Sequence, residues 1–424
     1  MKFRVKVQGF TNGIIPAAEV AAKSSKDFIS DGKIKIVVEP KEIAVYAFSG
    51  IIGIESKLST TTIDKLDYRF DTPGEVTVSA KDLLAVLSSF APTESVVIEA
   101  KKDGDTQKLF ITLERDDEQF QTLPCLDDCV SLPKESAKFE NTLTITRDVL
   151  MKGISRVSFA TGFEKERPRY KYWALKMFKN GTIRFSAGDG GRWAVLDLEG
   201  KSIVSSGKGE HSFLIHRDHT PIVMKVLEHS VDANVVLKQS AKNDSYHIVI
   251  EAMPHKMILV GLDPTVTSVD EDIFINRAYK HKVVTVLADW KYAALGVSAT
   301  FNDICRKTNQ SHKARIDFDF VKKTMIVKTD YSMSSTRKIP IVDSSVSDGI
   351  TDSWFICSSA ILKEITDCSE YGKSVQMEMS DAKEPVIVRL YAADKVTDGL
   401  TLKNVDDGTG ITEKFCIIFA SYGS

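Results

Sequence analysis

The chain has 424 residues, enough for about three domains at roughly 150 residues each, so one compact core is not expected. Its residues are 43% hydrophobic and 27% charged with only 12 prolines, which excludes a largely disordered chain. Lys plus Arg number 56 against 58 for Asp plus Glu, so the net charge of −2 excludes a global attraction to nucleic acid or anionic membrane; any basic surface must be local.

Six segments, taken in chain order, switch from the period of a strand to that of a helix. They are FRVKVQGFTNGIIPAAEVAAK from Phe3, VTVSAKDLLAVLSSF from Val76, LTITRDVLMKGISRVSFAT from Leu143, FLIHRDHTPIVMKVL from Phe213, VTVLADWKYAALGVSAT from Val284 and FICSSAILKEITDC from Phe355. Their starts are 73, 67, 70, 71 and 71 residues apart, an internal repeat. In the second, Val76 and Val78 alternate, Ser79 is placed to cap a first turn, and Leu83, Leu84 and Leu87 follow at helical spacing. In the third, Leu143 and Ile145 give way to Leu150, Ile154 and Val157.

Strand-like runs bounded by turn residues follow most of these helices: SVVIEA, QKLFITLE and EQFQTL, then ANVVLKQ, SYHIVIEA and KMILVGL. Each repeat therefore reads as β-α followed by about three strands. One such repeat has too little core of its own, so repeats are expected in pairs. The fold class is α+β with three similar domains, residues 1–140, 141–276 and 277–424, divided near the polar stretch 131–141 and after GLDPTVTSVDED.

Cys125, Cys129, Cys305, Cys357, Cys368 and Cys416 form no CxxC pair, and MKFRVKVQGF lacks the apolar core of a signal peptide, so reduced thiols and a cytoplasmic location are expected. No run approaches the ~18 apolar residues of a membrane helix. GxxxxGK[ST], HExxH and GxSxG are all missing, and no cofactor is implied. His211, His216 and His219 beside Asp218 are imidazole and carboxylate groups of the kind that bind zinc, but His211 and His216 sit at opposite ends of a strand and point to opposite faces. Gly188, Gly190 and Gly191 around Asp189 read either as a phosphate cradle or as a tight hairpin, and the strand-like WAVLDL that follows favours the hairpin. The run EKERPRYKYW mixes Lys165, Arg167, Arg169 and Lys171 with Tyr170 and Tyr172, a pattern suited to phosphate contact and base stacking or to an exposed charged loop.

Taken together, these stretches resemble the bacterial sliding clamp, the β subunit of DNA polymerase III, over the whole chain. VTVSAKDLLAVLSSF with QFQTLPCLDDCVSLP is similar to that family's first domain, and RYKYWALKMFKNGTIRFSAGDGGRWAV is similar to its Arg-Tyr-Tyr loop, strand and Thr-Asp-Gly-His-Arg-Leu hairpin. The resemblance implies the DNA clamp fold, three domains of two βαβββ repeats each, in a homodimeric ring with helices inside and sheets outside. Such a ring is no enzyme; it encircles duplex DNA and tethers polymerase and clamp loader through short peptide motifs. Duplex held topologically needs only diffuse positive potential.

The same resemblance places DNA contacts at Lys23, Lys26, Lys81, Arg147, Lys152, Arg156, Arg167, Arg169, Tyr170, Arg217, Lys225, Lys291 and Lys363, with Glu364, Asp367 and Glu370 opposing the last. It places a partner-peptide cleft at Tyr172, Gly188, Gly190, Arg192, Trp193, Pro264, Ile417, Ile418 and Phe419. Here the sequence departs from the family: Gly188 and Gly191 stand for its threonine and histidine, Trp193 for its leucine, and FASYGS for its Met-Pro-Met-Arg-Leu tail. Trp193 also reads as a core aromatic, and Ile417 with Ile418 as a final strand with one face in a groove. Ring closure is expected from KLFITLE and the helix around Leu295. The other function classes are a clamp-derived interaction scaffold that does not encircle DNA, and a hydrolase using Asp189 or the histidines.

Overall fold

The computed structural model describes residues 1–23, 32–104, 106–127, 130–133, 138–162, 168–200, 210–240, 247–260, 271–295, 313–329, 335–347, 349–358, 361–362, 365–366, 374–380, 384–391 and 411–419. Among them, no helix is long and apolar enough to cross a membrane.

All six expected strand-to-helix switches are present. The first repeat is β1 (Lys2–Lys6), α1 (Val7–Ala22), β2 (Lys33–Val38), β3 (Ile43–Phe48) and β4 (Ile52–Leu58), with a short β5 (Arg69–Thr72) after it. The second is β6 (Gly74–Ser79), α2 (Ala80–Leu87), β7 (Ser95–Asp103), β8 (Thr106–Leu113) and β9 (Asp116–Pro124). The third is β10 (Phe139–Thr146), α3 (Arg147–Val157), β11 (Tyr172–Met177), β12 (Ile183–Gly188) and β13 (Arg192–Gly200). The fourth is β14 (His211–His216), α4 (Thr220–Glu228), β15 (Asn234–Ser240), β16 (Ile248–Ala252) and β17 (His255–Leu259). After a single helical turn, α5 (Asp272–Ile275), the fifth is β18 (His281–Val286), helical residues 287–295, β19 (Lys313–Asp319), β20 (Thr324–Thr329) and β21 (Ser335–Pro340), followed by β22 (Asp343–Ser345). The sixth opens with β23 (Asp352–Ser358), passes helical residues 361–362 and 365–366, and ends in β24 (Ser374–Met379), β25 (Val386–Tyr391) and β26 (Ile411–Phe419).

The local causes are those expected. Ser79 Oγ accepts the N–H of Asp82 and starts α2, whose Ala80, Leu83 and Leu87 are buried. β2 alternates, with Ile34, Ile36 and Val38 inward and Lys33, Lys35 and Val37 half-exposed.

Pairing is reciprocal between neighbouring repeats: β1 lies against β7 and β6 against β2, β10 against β15 and β14 against β11, β18 against β24 and β23 against β19. Each repeat lends its first strand to its sister, so neither completes a sheet alone. The sheets that result run β5-β1-β7-β8-β9, β10-β15-β16-β17-β4-β3-β2-β6, β14-β11-β12-β13-β26-β25-β24-β18-β22 and β21-β20-β19-β23. The two longer sheets each contain a seam where strands from different pairs of repeats meet edge to edge, β4 with β17 and β13 with β26.

Because hydrogen bonding continues across both seams, the chain forms two compact units whose border falls inside residues 141–276. Met1–Lys152 and Asp218–Val266 belong to one, and Gly153–Ser202, Gly209–Arg217 and Thr267–Ser424 to the other. The strand KLFITLE, expected at a closing edge, is β8 and pairs on both sides with β7 and β9. The edge next to it is β9.

Candidate nucleic-acid and partner interfaces

The turn between β12 and β13 is a hairpin. Asp189 Oδ1 accepts the N–H groups of Gly191 and Arg192, both at 2.9 Å, and Asp189 N–H donates to Arg192 O at 3.1 Å. Gly190 takes φ of +90°, a conformation that suits only a residue without a side chain. Arg192 Nε pairs with Asp189 Oδ2 at 2.9 Å, so both carboxylate oxygens serve the turn. The hairpin reading of the glycine run is the one observed.

One cross-strand pair then sets the character of this face. Gly188 lies directly opposite Trp193, and a Cβ at Gly188 would fall 2.1 Å from Trp193 Cε3. The indole therefore lies flat over the bare glycine backbone, a place only glycine leaves open. Trp193 also meets Tyr170 edge to face, with ring centroids 5.6 Å apart. Val195, Ile387, Cys416 and Ile418 complete a buried cluster around it. Burial pushes the Cys416 thiol up to about 12, which makes it a packing group and no nucleophile.

A strap, Glu271–Tyr279, crosses this floor with Phe274, Ile275 and Tyr279 packed against the cluster. At its first end Glu271 is buried and takes Lys176 Nζ at 2.7 Å and Ser186 Oγ at 2.5 Å. Beside it Arg184 forks onto Asp197 at 2.6 and 2.9 Å and reaches Asp272 at 2.7 Å. Further on, Arg389 Nη2 donates to Ile275 O at 3.1 Å, Arg277 reaches Glu384 at 2.5 Å and Tyr279 Oη donates to Phe274 O at 3.1 Å. Burial, with Glu378 helping and Arg277 opposing, raises the Tyr279 hydroxyl to about 12, so it remains a donor.

No protein-family model matches the chain, and no curated protein matches it in sequence. Solved structures do match from end to end. The DNA polymerase sliding clamp of Pseudomonas aeruginosa superposes with TM-score 0.76 at 16% identity, covering 100% of both chains. That of Bacillus subtilis gives 0.76 at 13% identity with 100% of this chain and 99% of the other, and the β subunit from the DNA polymerase of Streptococcus pyogenes gives 0.74 at 13% with both chains fully covered. The chain has the sliding-clamp fold.

Within the sliding-clamp fold the expected site residues divide. Lys81, Arg169 and Lys291 are exposed. Lys23, Arg147, Lys152, Arg217 and Lys225 are half-buried, and the ties to neighbours include Lys23 Nζ donating to Asp218 O, Arg147 to Ser230 O, Arg217 to Gly162 O at 2.8 Å, and Lys225 pairing with Glu228 at 2.7 Å. Hydrogen bonding and attraction from Glu228 hold the Lys225 ammonium above its usual range.

Two expected DNA contacts need correction. Arg156 is 2% exposed, its guanidinium 5.7 Å from the Phe415 ring centroid, and it packs inside the second unit instead of facing out. Tyr170 is 6% exposed and belongs to the Trp193 cluster, with Arg169 stacked 4.8 Å over its ring. Lys26, Arg167, Pro264, Lys363, Glu364, Asp367 and Glu370 lie outside the described residues.

Of the expected cleft, Gly188, Trp193 and Ile418 share one face, and Gly190 and Arg192 form the adjoining turn. Ile417 and Phe419, at alternate positions of β26, point to the other face, where Phe419 meets Phe355 at 5.6 Å between centroids. Tyr172 is half-buried against His216. The strap residues Phe274, Ile275 and Tyr279 were not expected; the only sign of them is an aromatic and aliphatic run, FINRAY, in a stretch read as a boundary. His211 and His216 occupy the two ends of β14, and no group of metal-ligating residues occurs among the described residues.

Proposed function

We infer that the chain works as a sliding clamp of three domains, residues 1–140, 141–276 and 277–424, a homodimeric ring around duplex DNA that tethers polymerase and clamp loader by short peptides. The end-to-end agreement with sliding-clamp structures carries this reading. Supporting it are two of the sheet edges, β9 and β21, which hold in the second and fifth repeats the place that β4, β13, β17 and β26 hold at the seams. Edge strand β9 bears Asp116, Asp117 and Glu118 beside Phe120, which is 51% exposed. Edge strand β21 bears Arg337 and Lys338, and Arg337 Nη1 donates to the hydroxyl of Tyr292, itself 60% exposed near Leu295 at 69%. An acidic edge with one bare aromatic fits a basic edge with bare apolar neighbours, so two copies joined β9 to β21 at both ends close a ring. Lys81, Lys291 and Arg169 then supply the diffuse attraction that topological holding requires, and the Trp193 face receives partner peptides.

A second reading, a clamp-derived scaffold that does not encircle DNA, gains from one observation: Arg156 and Tyr170 are buried and Lys225 is matched by Glu228. Light scattering with a retention assay separates the two. The ring reading expects a dimer that, once loaded, stays on nicked circular DNA and is lost when the circle is cut. A concentration-independent monomer, or equal retention on circular and linear DNA, sinks it in favour of the scaffold.

A further inference from the structure

The Trp193 floor carries an occupant made of this chain itself. We propose that Phe274, Ile275 and Tyr279 fill the cleft in the free protein as an internal ligand, and that a partner's apolar peptide engages the floor by displacing them. This rests on the reading of the Trp193 face as a partner site. What the strap offers the floor is what a docked peptide offers: an aromatic and an aliphatic side chain, half-buried side by side, preceded by two carboxylates held on Lys176, Ser186 and Arg184.

The strap is fastened unequally. Glu271 is 2% exposed and both its oxygens are engaged, whereas Ile273 is 67% exposed and no residue of α5 is fully buried. Asn276, Arg277 and Ala278 are also exposed, and residues 271–279 pair with no strand. A short turn with no fully buried residue and an exposed ion pair among its ties is what local opening selects. Raising residues 273–279 breaks the Arg389 bond to Ile275 O and the exposed Arg277–Glu384 pair, and leaves Glu271 seated as the hinge. Because Tyr279 donates to Phe274 O, the three apolar side chains leave together. The flat floor that Gly188 allows remains behind for the incoming peptide.

The test uses the full chain and a fluorescent peptide of the strap's own sequence, EDIFINRAY, residues 271–279. A Phe274→Ser, Ile275→Ser double variant vacates the floor and should bind this peptide at least tenfold more tightly than the parent protein does. Adding Trp193→Ala should abolish the gain, and Ile273→Ser, at an exposed position, should give none. Equal affinity for parent and double variant, or a gain that survives Trp193→Ala, overturns the proposal. Should the double variant not fold, Arg389→Ala serves instead, with amide exchange of residues 273–279 expected to quicken at least tenfold; unchanged protection counts against it. No DNA enters the assay. Peptide binding without DNA retention sinks the ring alone, and retention without a peptide gain sinks the strap alone.

Discussion

Where β4 meets β17, the face turned away from α1 carries Gly53, Glu55, Lys57, Lys256 and Ile258, and the Pro133 ring presses on Gly53. Where β13 meets β26, the face opposite Phe419 carries Trp193, Val195, Cys416 and Ile418 beneath the aromatic strap. The same edge-to-edge join is thus covered in both units by the chain segment that leads to the next pair of repeats. One cover lies on a mainly polar surface and the other on an aromatic floor. Joining two sheets does not require an aromatic floor, since the first seam holds without one. The apolar cluster of the second seam is therefore more than the joining of two sheets requires.

The largest expected separation between the seams is in their response to pH. His255 sits in the first seam with Nδ1 2.8 Å from Ser56 Oγ, and burial, followed by the nearby His229, lowers it to about 3. In the folded chain it stays neutral down to that pH, while the unfolded chain takes up a proton near 6.5. Its contribution is therefore complete above about pH 6.5 and is lost as pH falls from there to about 3, on the order of 5 kcal/mol in total. Urea unfolding of the parent and of His255→Gln across pH 7 to 4 checks this: the variant should lose the slope, and its persistence would leave the seam without its histidine dependence.

Next in size, Trp193→Ala should cost roughly 3–4 kcal/mol, and Gly188→Val a similar amount because its side chain collides with the indole. Gly188→Val combined with Trp193→Leu should recover more than half of that loss, and strict additivity in the denaturant cycle would show the two positions to be independent. A smaller effect, about 2 kcal/mol, is expected for Glu271→Gln, which leaves the mostly buried Lys176 ammonium with a poorer acceptor. The smallest belongs to the polar seam. Lys57→Ala removes only loose contacts at 3.8 and 4.0 Å to Glu55 and Glu42 and should shift stability by under ~0.5 kcal/mol; a loss above 1 kcal/mol would make that face more than a cover.

The repeats were legible because the change from period two to period 3.6 is a local signal, visible in VTVSAKDLL and LTITRDVLMKGI alike. The seams were not, since β13 and β26 are brought together by the arrangement of whole sheets and no local pattern announces an edge-to-edge partner. Gly188 and Trp193 stood out separately as departures from the family hairpin; their coupling needed the register that sets them opposite each other. Arg156 could have been placed from phase alone. It lies seven residues after Val149 and three after Gly153, both buried, so the helix turns it inward whatever its charge suggests. The strap escaped notice because its polar anchors, Glu271 to Lys176 and Asp272 to Arg184, span about ninety residues of chain.

The exchange of first strands has a consequence for how such a chain can change length. Removing one repeat takes strands out of two half-sheets at once, three from its own and the one it lends to its sister's, and leaves its sister with an unsupported edge. The smallest piece that completes this exchange is the pair of repeats, so a chain built this way is expected to gain or lose repeats two at a time.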